Sequence, residues 1–361
     1  MTTRRRLTRV LAPLATAVLA LGLAACSSSG GSPAAAGNSL DSLAPSALLA
    51  QANKEGSLTW YTTFSDDDVQ PFIQAFNKVY PNIKVNALRL SADQIPPRII
   101  TEQRGGKYNA DVVSGDSPQL AQLIHAGALQ PYTPSDLAPL PAGLTLEKGY
   151  EGVIYIVTTV VSYNPTIAKQ DHLAPPTSWA DLTKPQWKGK FSIDPSAVNW
   201  YDSLIKIMGH DKALQLIKGL GANSPVFVES HTDALTDVQA GEPLAAATAY
   251  GYKASSLKED TPKQVEFTNS NPLPASLNLI DVVKNAPHPA AARLFEDWCV
   301  SKAGQQAVVD VTNHTSIRDD VKNDPTVWDE SKWKPAWGDP MLASDAYNKE
   351  LDEFKSALNA P

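Results

Sequence analysis

Cysteine is almost missing from this chain. Only Cys26 and Cys299 occur in 361 residues, which excludes a disulfide framework and a cysteine-based metal cluster. Histidine is sparse as well: His125, His172, His210, His231, His288 and His314 show no H-E-x-x-H or other zinc spacing. No G-x-S-x-G motif marks a hydrolase, and no Walker-type glycine loop marks an ATP-hydrolysing subunit. Basic charge is in deficit, with 31 Lys and Arg against 38 Asp and Glu and a net charge of −7. That argues against nucleic acid, which selects basic patches. Long apolar runs are also lacking. The stretches 10–23 and 153–163 fall short of the roughly 20 residues that a membrane-spanning helix needs, and no internal repeat is evident.

What is present begins at the N-terminus. Arg4, Arg5, Arg6 and Arg9 precede the first apolar run, which contains Pro13 and Gly22 and ends in Leu23-Ala24-Ala25-Cys26. Charged, apolar and small-residue segments in that order make a secretory signal. A thiol directly after Leu-Ala-Ala makes it a lipoprotein signal, with diacylglyceryl transfer to Cys26 expected. Residues 27–38, mostly Ser, Gly and Ala, have nothing to bury and read as a tether. Residues 1–25 are therefore expected to be a lipoprotein signal peptide, and 26–55 a lipid-anchored flexible tether and lead-in. The remainder is expected to work outside the cytoplasm, anchored to the cell membrane by lipidated Cys26 without spanning it. Loss of four arginines and no acidic residue takes the net charge from −7 to −11, which discourages flat adhesion to an anionic bilayer. Cys299, set among Leu294, Phe295, Trp298 and Val300, reads as a buried structural thiol.

Roughly 320 residues follow the signal and tether, too many for one ordinary core and enough for two domains. Their pattern is α/β. Leu58–Thr62 reads as a first strand, and Asp66, Asp67 and Asp68 supply N-cap candidates for a helix whose Val69, Phe72, Ile73 and Phe76 recur at helical spacing. Strands at 83–87 and 110–113 alternate with a helix carrying Ile95, Ile99 and Ile100, as in a parallel sheet. Ser114-Gly115-Asp116-Ser117-Pro118 then leaves a strand and enters a helix, at the kind of edge where open α/β sheets bind ligands. The β-branched run 153–163 reads as a central strand ended by Asn164-Pro165. Helices near 201–208, 211–219 and 232–240 and strands at 226–228 and 244–248 follow. Helices near 289–300 and 304–311 come next, and Tyr347, Leu351, Phe354 and Leu358 mark one face of a last helix.

Pro176-Thr177-Ser178-Trp179-Ala180-Asp181-Leu182, with Pro185-Gln186-Trp187-Lys188-Gly189-Lys190 after it, resembles the P-x-S-W-x-D-L…P-x-W-K-G-K signature of bacterial extracellular solute-binding proteins. Ala75-Phe76 with Tyr80-Pro81, Val161-Ser162-Tyr163-Asn164, and Phe295 through Gln305 agree with it in order. The resemblance covers nearly all of residues 56–320 and is nearest to the cluster that binds ferric iron, thiamine, phosphonates and sugar phosphates for ABC importers. It implies two α/β lobes joined by two hinge strands with a ligand cleft between them, the type II periplasmic-binding-protein fold. Lobe 1 is expected over 56–150 plus 276–361 and lobe 2 over 151–275. The implied partners are a small-molecule or ion ligand and ABC permease subunits, with a monomeric chain, no cofactor and no catalysis.

Candidate ligand residues come from both lobes. Thr62, Thr63 and Ser65 follow the first strand, where they either meet the ligand or belong to a loop capping its own helix. Ser114, Asp116 and Ser117 are the second group. Gly115 lets backbone approach a ligand there, although capping alone accounts for Asp116 and Ser117. Tyr250-Gly251-Tyr252 lies where ferric relatives carry two adjacent tyrosines, and with Asp116 would form the iron set, iron(III) being a hard acid that prefers phenolate and carboxylate. The pair is interrupted here. Ser65 stands where the ferric pattern has histidine, and Val157 and Thr159 stand where it has anion-holding arginines. Such tyrosines also suit an organic ligand. Asn199, Trp200 and Tyr201 form another wall, or pack the lobe. Ser230, His231, Ser276 and Asn278 complete the candidates by position. A small oxygen-rich solute is preferred over free iron. The competing functions are ferric import, a ligand-binding module for a membrane sensor, and a secreted hydrolase.

Overall fold

The computed structural model of the protein describes residue 40 and residues 43–360. The signal peptide, Cys26 and the stretch 27–38 lie outside the described residues. The lead-in is partly folded: α1 (Pro45–Glu55) turns Leu48 and Ala52 into the core against the later helix Pro289–Val300. The expectation of a flexible lead-in through residue 55 is corrected there, because these apolar residues recur at a spacing of four on one helix face.

The first lobe alternates β1 (Ser57–Thr62), α2 (Asp66–Val79), β2 (Lys84–Arg89), α3 (Ile95–Arg104), β3 (Val112–Asp116) and α4 (Ser117–His125). Strands β1, β2 and β3 pair in parallel. The β-branched run forms one buried strand, β4 (Val153–Tyr163), followed by α5 (Pro165–Gln170). In the second lobe come β5 (Phe191–Ile193), α6 (Val198–Met208), α7 (His210–Ala222), β6 (Val226–Phe227), α8 (Asp233–Ala240), β7 (Ala245–Tyr250), α9 (Gly251–Asp260) and β8 (Glu266–Thr268). The chain returns through β9 (Leu273–Val282), α10 (Pro289–Val300) and α11 (Lys302–Thr312), and ends with β10 (Pro335–Trp337) and α12 (Ser344–Leu358).

Two strands connect the lobes. Residues 153–158 of β4 pair antiparallel with β9, whereas residues 159–163 pair with β7 and β8. Strand β9 pairs with β3 on its other side. The sheet thus runs β2-β1-β3-β9-β4-β7-β5-β6, parallel toward both ends and antiparallel through the two crossing strands. Separate apolar clusters fill each side: Trp60, Phe72, Phe76 and Phe295, with fully buried Cys299, in the first lobe, and Trp187, Phe191, Leu204 and Leu220 in the second.

The motif that carries the family resemblance is structural. Ser178 and Asp181 form a capping box, Asp181 takes the Thr177 N–H at 2.8 Å, and Trp179 Nε1 donates to the buried Ala247 carbonyl at 2.7 Å. Trp187 is buried beside it, and Gly189 adopts φ +70°, open to glycine. The C-terminal helix departs from the expected split. Phe354, Ala357 and Leu358 of α12 sit in the second lobe's cluster against α6 and α7, although 276–361 as a whole was expected with the first lobe. The apolar face was legible as helical spacing, but spacing alone does not say which partner covers it.

Candidate functional site

Four strands end at one cleft: β1 before Thr63, β3 at Asp116, β5 before Asp194 and β7 at Tyr250. Helices begin immediately or a few residues beyond each end, so side chains and helix N-termini from both lobes converge at the carboxyl edge of the sheet. The cleft has a volume of about 510 Å³, within the range of roughly 300–1,000 Å³ usual for small-molecule sites. Lys253 of α9 approaches Asp67 of α2 to 3.9 Å across the lobes.

Of the residues expected from the sequence, Thr63, Ser65, Asp116, Thr159, Asn199, Trp200, Tyr250 and Tyr252 line this cleft, as do Ser230, His231 and Ser276. Others lie behind its wall. Thr62 and Ser114 are fully buried and bond to each other at 2.9 Å, with Trp60 Nε1 donating to Ser114 Oγ at 3.1 Å. Ser117 is buried at the start of α4, off the cleft. Tyr201 faces the C-terminal helix instead: its hydroxyl donates to Glu353 at 2.5 Å and its ring stacks on Phe354. These four placements share a cause. Strand alternation and helix periodicity turn every second or third residue inward, and a short polar side chain next to a cleft residue can serve the core instead.

Asn278 is fully buried and works through its neighbours, since its Nδ2 donates to Asp116 Oδ1 at 3.0 Å and Thr63 Oγ1 at 3.3 Å. Asp116 makes no capping bond to the helix it precedes, so capping does not account for it. Burial raises its pKa, as does the Asp194 charge, while His231 and the Asn278 bond pull it down. Ser65 likewise makes no cap bond, and its hydroxyl donates to Asp68 at 2.6 Å. A Cβ at Gly115 would stand 3.1 Å from Leu120 Cδ1, a tight contact with the first turn of α4.

Tyrosines 250 and 252 lie on no loop, because β7 passes directly into α9. Gly251 between them explains the interrupted pair: a Cβ at that position would stand 2.2 Å from Thr158 Oγ1 of the crossing strand. Tyr250 stacks on His231 with centroids 4.3 Å apart, and Tyr252 stacks on His314 at 3.7 Å. Burial pushes both phenols above their ordinary pKa. Burial also drives His314 down to about 3, so this ring is a neutral shelf between Tyr252 and Tyr155. Among the described residues, no group of three or more His, Cys, Asp or Glu converges to hold a metal ion.

Trp200 serves in both ways foreseen. It packs against Trp179 at 5.4 Å and forms cleft wall, with a buried Nε1 that has no partner. Tyr155, Asp194, His314, Gln119 and Tyr347 also line the cleft and were not foreseen. Asp194 carried a signal, since it follows β5 much as Asp116 closes β3. The others are brought in by tertiary packing.

The model of the bacterial extracellular solute-binding protein family matches residues 72–335. The chain is 24% identical over 288 residues to the Fe(3+)-binding periplasmic protein of Serratia marcescens, covering 74% of this chain and 83% of that one. Iron-bound HitA from Pseudomonas aeruginosa superposes with a TM-score of 0.70 at 24% identity, over 83% of this chain and 99% of that one. The periplasmic binding protein AfuA from Actinobacillus pleuropneumoniae, with fructose-6-phosphate bound, gives 0.75 at 21% identity, over 85% and 100%. A sheet crossed by two shared strands, a cleft between two lobes and a family match over most of its length place this chain in the bacterial extracellular solute-binding protein family, with the type II periplasmic-binding-protein fold.

Proposed function

We propose that this protein captures a small polar, oxygen-rich solute between its lobes and delivers it to an ABC permease, acting as a monomer held outside the cytoplasm by lipidated Cys26. The cleft carries this reading: about 510 Å³ lined by hydroxyls of Thr63, Ser65, Thr159 and Ser276 and by the aromatic walls of Trp200, Tyr250 and Tyr252 suits an organic molecule better than one bare ion. Contact with both lobes makes closure a consequence of binding, because only a ligand that touches both favours the closed state. The protein binds its solute without making or breaking bonds in it.

Ferric iron is the second reading, favoured by the iron-binding relatives and by the meeting of Asp116, Tyr250 and Tyr252 in one cleft. Titrating the full chain in detergent with ferric citrate and with organic solutes separates the two. A rise in melting temperature with an organic solute and no visible band supports the first; a red charge-transfer band lost in Tyr252→Phe replaces it with the second. Deleting the gene tests delivery: loss of solute uptake is expected, and intact uptake with lost signalling would point to a sensor module instead. Mass spectrometry of the membrane-bound protein, with Cys26→Ala as control, tests the anchor.

A further inference from the structure

The cleft floor carries a carboxylate from each lobe. Asp116 ends β3 and Asp194 follows β5, and among the described residues neither is paired with lysine or arginine. Asp116 receives Asn278 on Oδ1. Asp194 receives the Ser196 N–H and hydroxyl on Oδ1 at 2.7 and 2.6 Å, and its Oδ2 stands 3.4 Å from His231 Nε2. Next to them is Gln119, 5% exposed, whose Nε2 donates to Tyr347 and whose buried Oε1 has no partner. The floor is therefore rich in acceptors. Asp194 is buried and Asp116 half-buried; carboxylates so withdrawn from water call for a cation, and aromatic faces such as those of Tyr250 and Trp200 favour one beside them. Arg89 and Lys355, the other charged nitrogens of the cleft, belong to an exposed and a half-buried residue respectively.

We infer that the solute carries a protonated nitrogen, an ammonium or amidinium group, seated between Asp116 and Asp194 with Gln119 Oε1 as a further acceptor. This rests on the organic-solute reading above. Hydroxyls of Thr63, Ser65 and Thr159 line the same cleft and meet the polar remainder of the molecule, so the ligand class is a hydroxylated or carbonyl-bearing amine.

The test is calorimetry and thermal shift on the full chain in detergent, with glucosamine against glucose as a matched pair, thiamine and spermidine as further cations, and fructose 6-phosphate and ferric citrate as counter-probes. At least one cationic probe is expected to bind where its neutral or anionic counterpart does not. Asp116→Asn and Asp194→Asn are each expected to weaken it by about tenfold or more, the scale of a lost charged hydrogen bond. Should either variant fail to fold by circular dichroism, the wild-type salt dependence decides, since affinity for a cation falls as salt is raised. Binding confined to glucose or fructose 6-phosphate overturns the cation assignment and leaves the solute reading standing. Binding of ferric citrate alone, with a red band, overturns both. No response to any cationic probe overturns the assignment as well.

Discussion

Gln119 donates from Nε2 to the phenol oxygen of Tyr347 at 3.0 Å, although 228 residues separate them. Gln119 belongs to α4 of the first lobe, and Tyr347 to the helix seated on the second. Tyr347→Phe keeps the ring and removes the bridge. It is expected to cost about 1 kcal/mol of stability, the usual scale of one hydrogen bond, and to weaken solute affinity more than Tyr201→Phe, whose hydroxyl lies off the cleft. Urea denaturation and calorimetry on both variants check this. Equal affinities would show that the bridge does not bear on the cleft.

Gly251→Ala is expected to destabilise the fold by about 1–3 kcal/mol, as overpacking does. The new methyl would meet Thr158 Oγ1 at 2.2 Å and Val327 at 3.1 Å. Because the displaced backbone carries Tyr250 and Tyr252, affinity should fall with stability. Urea melts and titrations of the same preparation measure the two together.

Trp179→Phe tests the structural account of the family signature. It removes a buried bond to the Ala247 carbonyl and is expected to lower unfolding free energy by about 1–3 kcal/mol. Affinity per folded molecule should stay unchanged, because Trp179 does not line the cleft. A selective loss of affinity would place the signature in the binding machinery.

Buried His314 and half-buried Asp68 give opposite pH dependences. His314 is held down to about 3 from 6.5 by burial. The unfolded chain therefore binds its proton first, and the contribution of His314 is fully present above pH 6.5 and is lost as pH falls toward 3. Asp68 is raised to about 6 from 3.8, again by burial. The folded state takes that proton first, so the cost of its charge is present above pH 6 and is relieved as pH falls toward 3.8. Each contributes a slope of up to about 1.4 kcal/mol per pH unit inside its window. Between pH 7 and pH 5, Asp68→Asn should lose more stability than wild type, and His314→Phe less. Urea midpoints at the two pH values decide the signs.

Much of the architecture was legible in local pattern. The β-branched run 153–163 could only be a central strand, and the helices at 66–79 and 289–300 kept their spacing. Where the site was legible, a strand end met a helix start, as at Asp116 and Tyr250. Tyr201 was misplaced because its polar tip looks the same in sequence whether it faces solute or Glu353. Tyr347 and Gln119 were invisible for a different reason. Their meeting depends on the route of residues 313–343 along the junction, which no periodicity encodes.

That route alters how the lobes can part. Besides β4 and β9, the C-terminal stretch touches both lobes: Asp324 and Thr326 bond to Ser255 and Asn269 of the second, Trp337 packs on first-lobe residues, and α12 is fixed to the second. At 338–339 the chain is already held to the second lobe, since the Asp339 N–H donates to Asp202 of α6 and Gly338 packs against the same carboxylate. A parting of the lobes about β4 and β9 would therefore pull on this tail as well as on the two strands, and each such tie would bound the angle of opening.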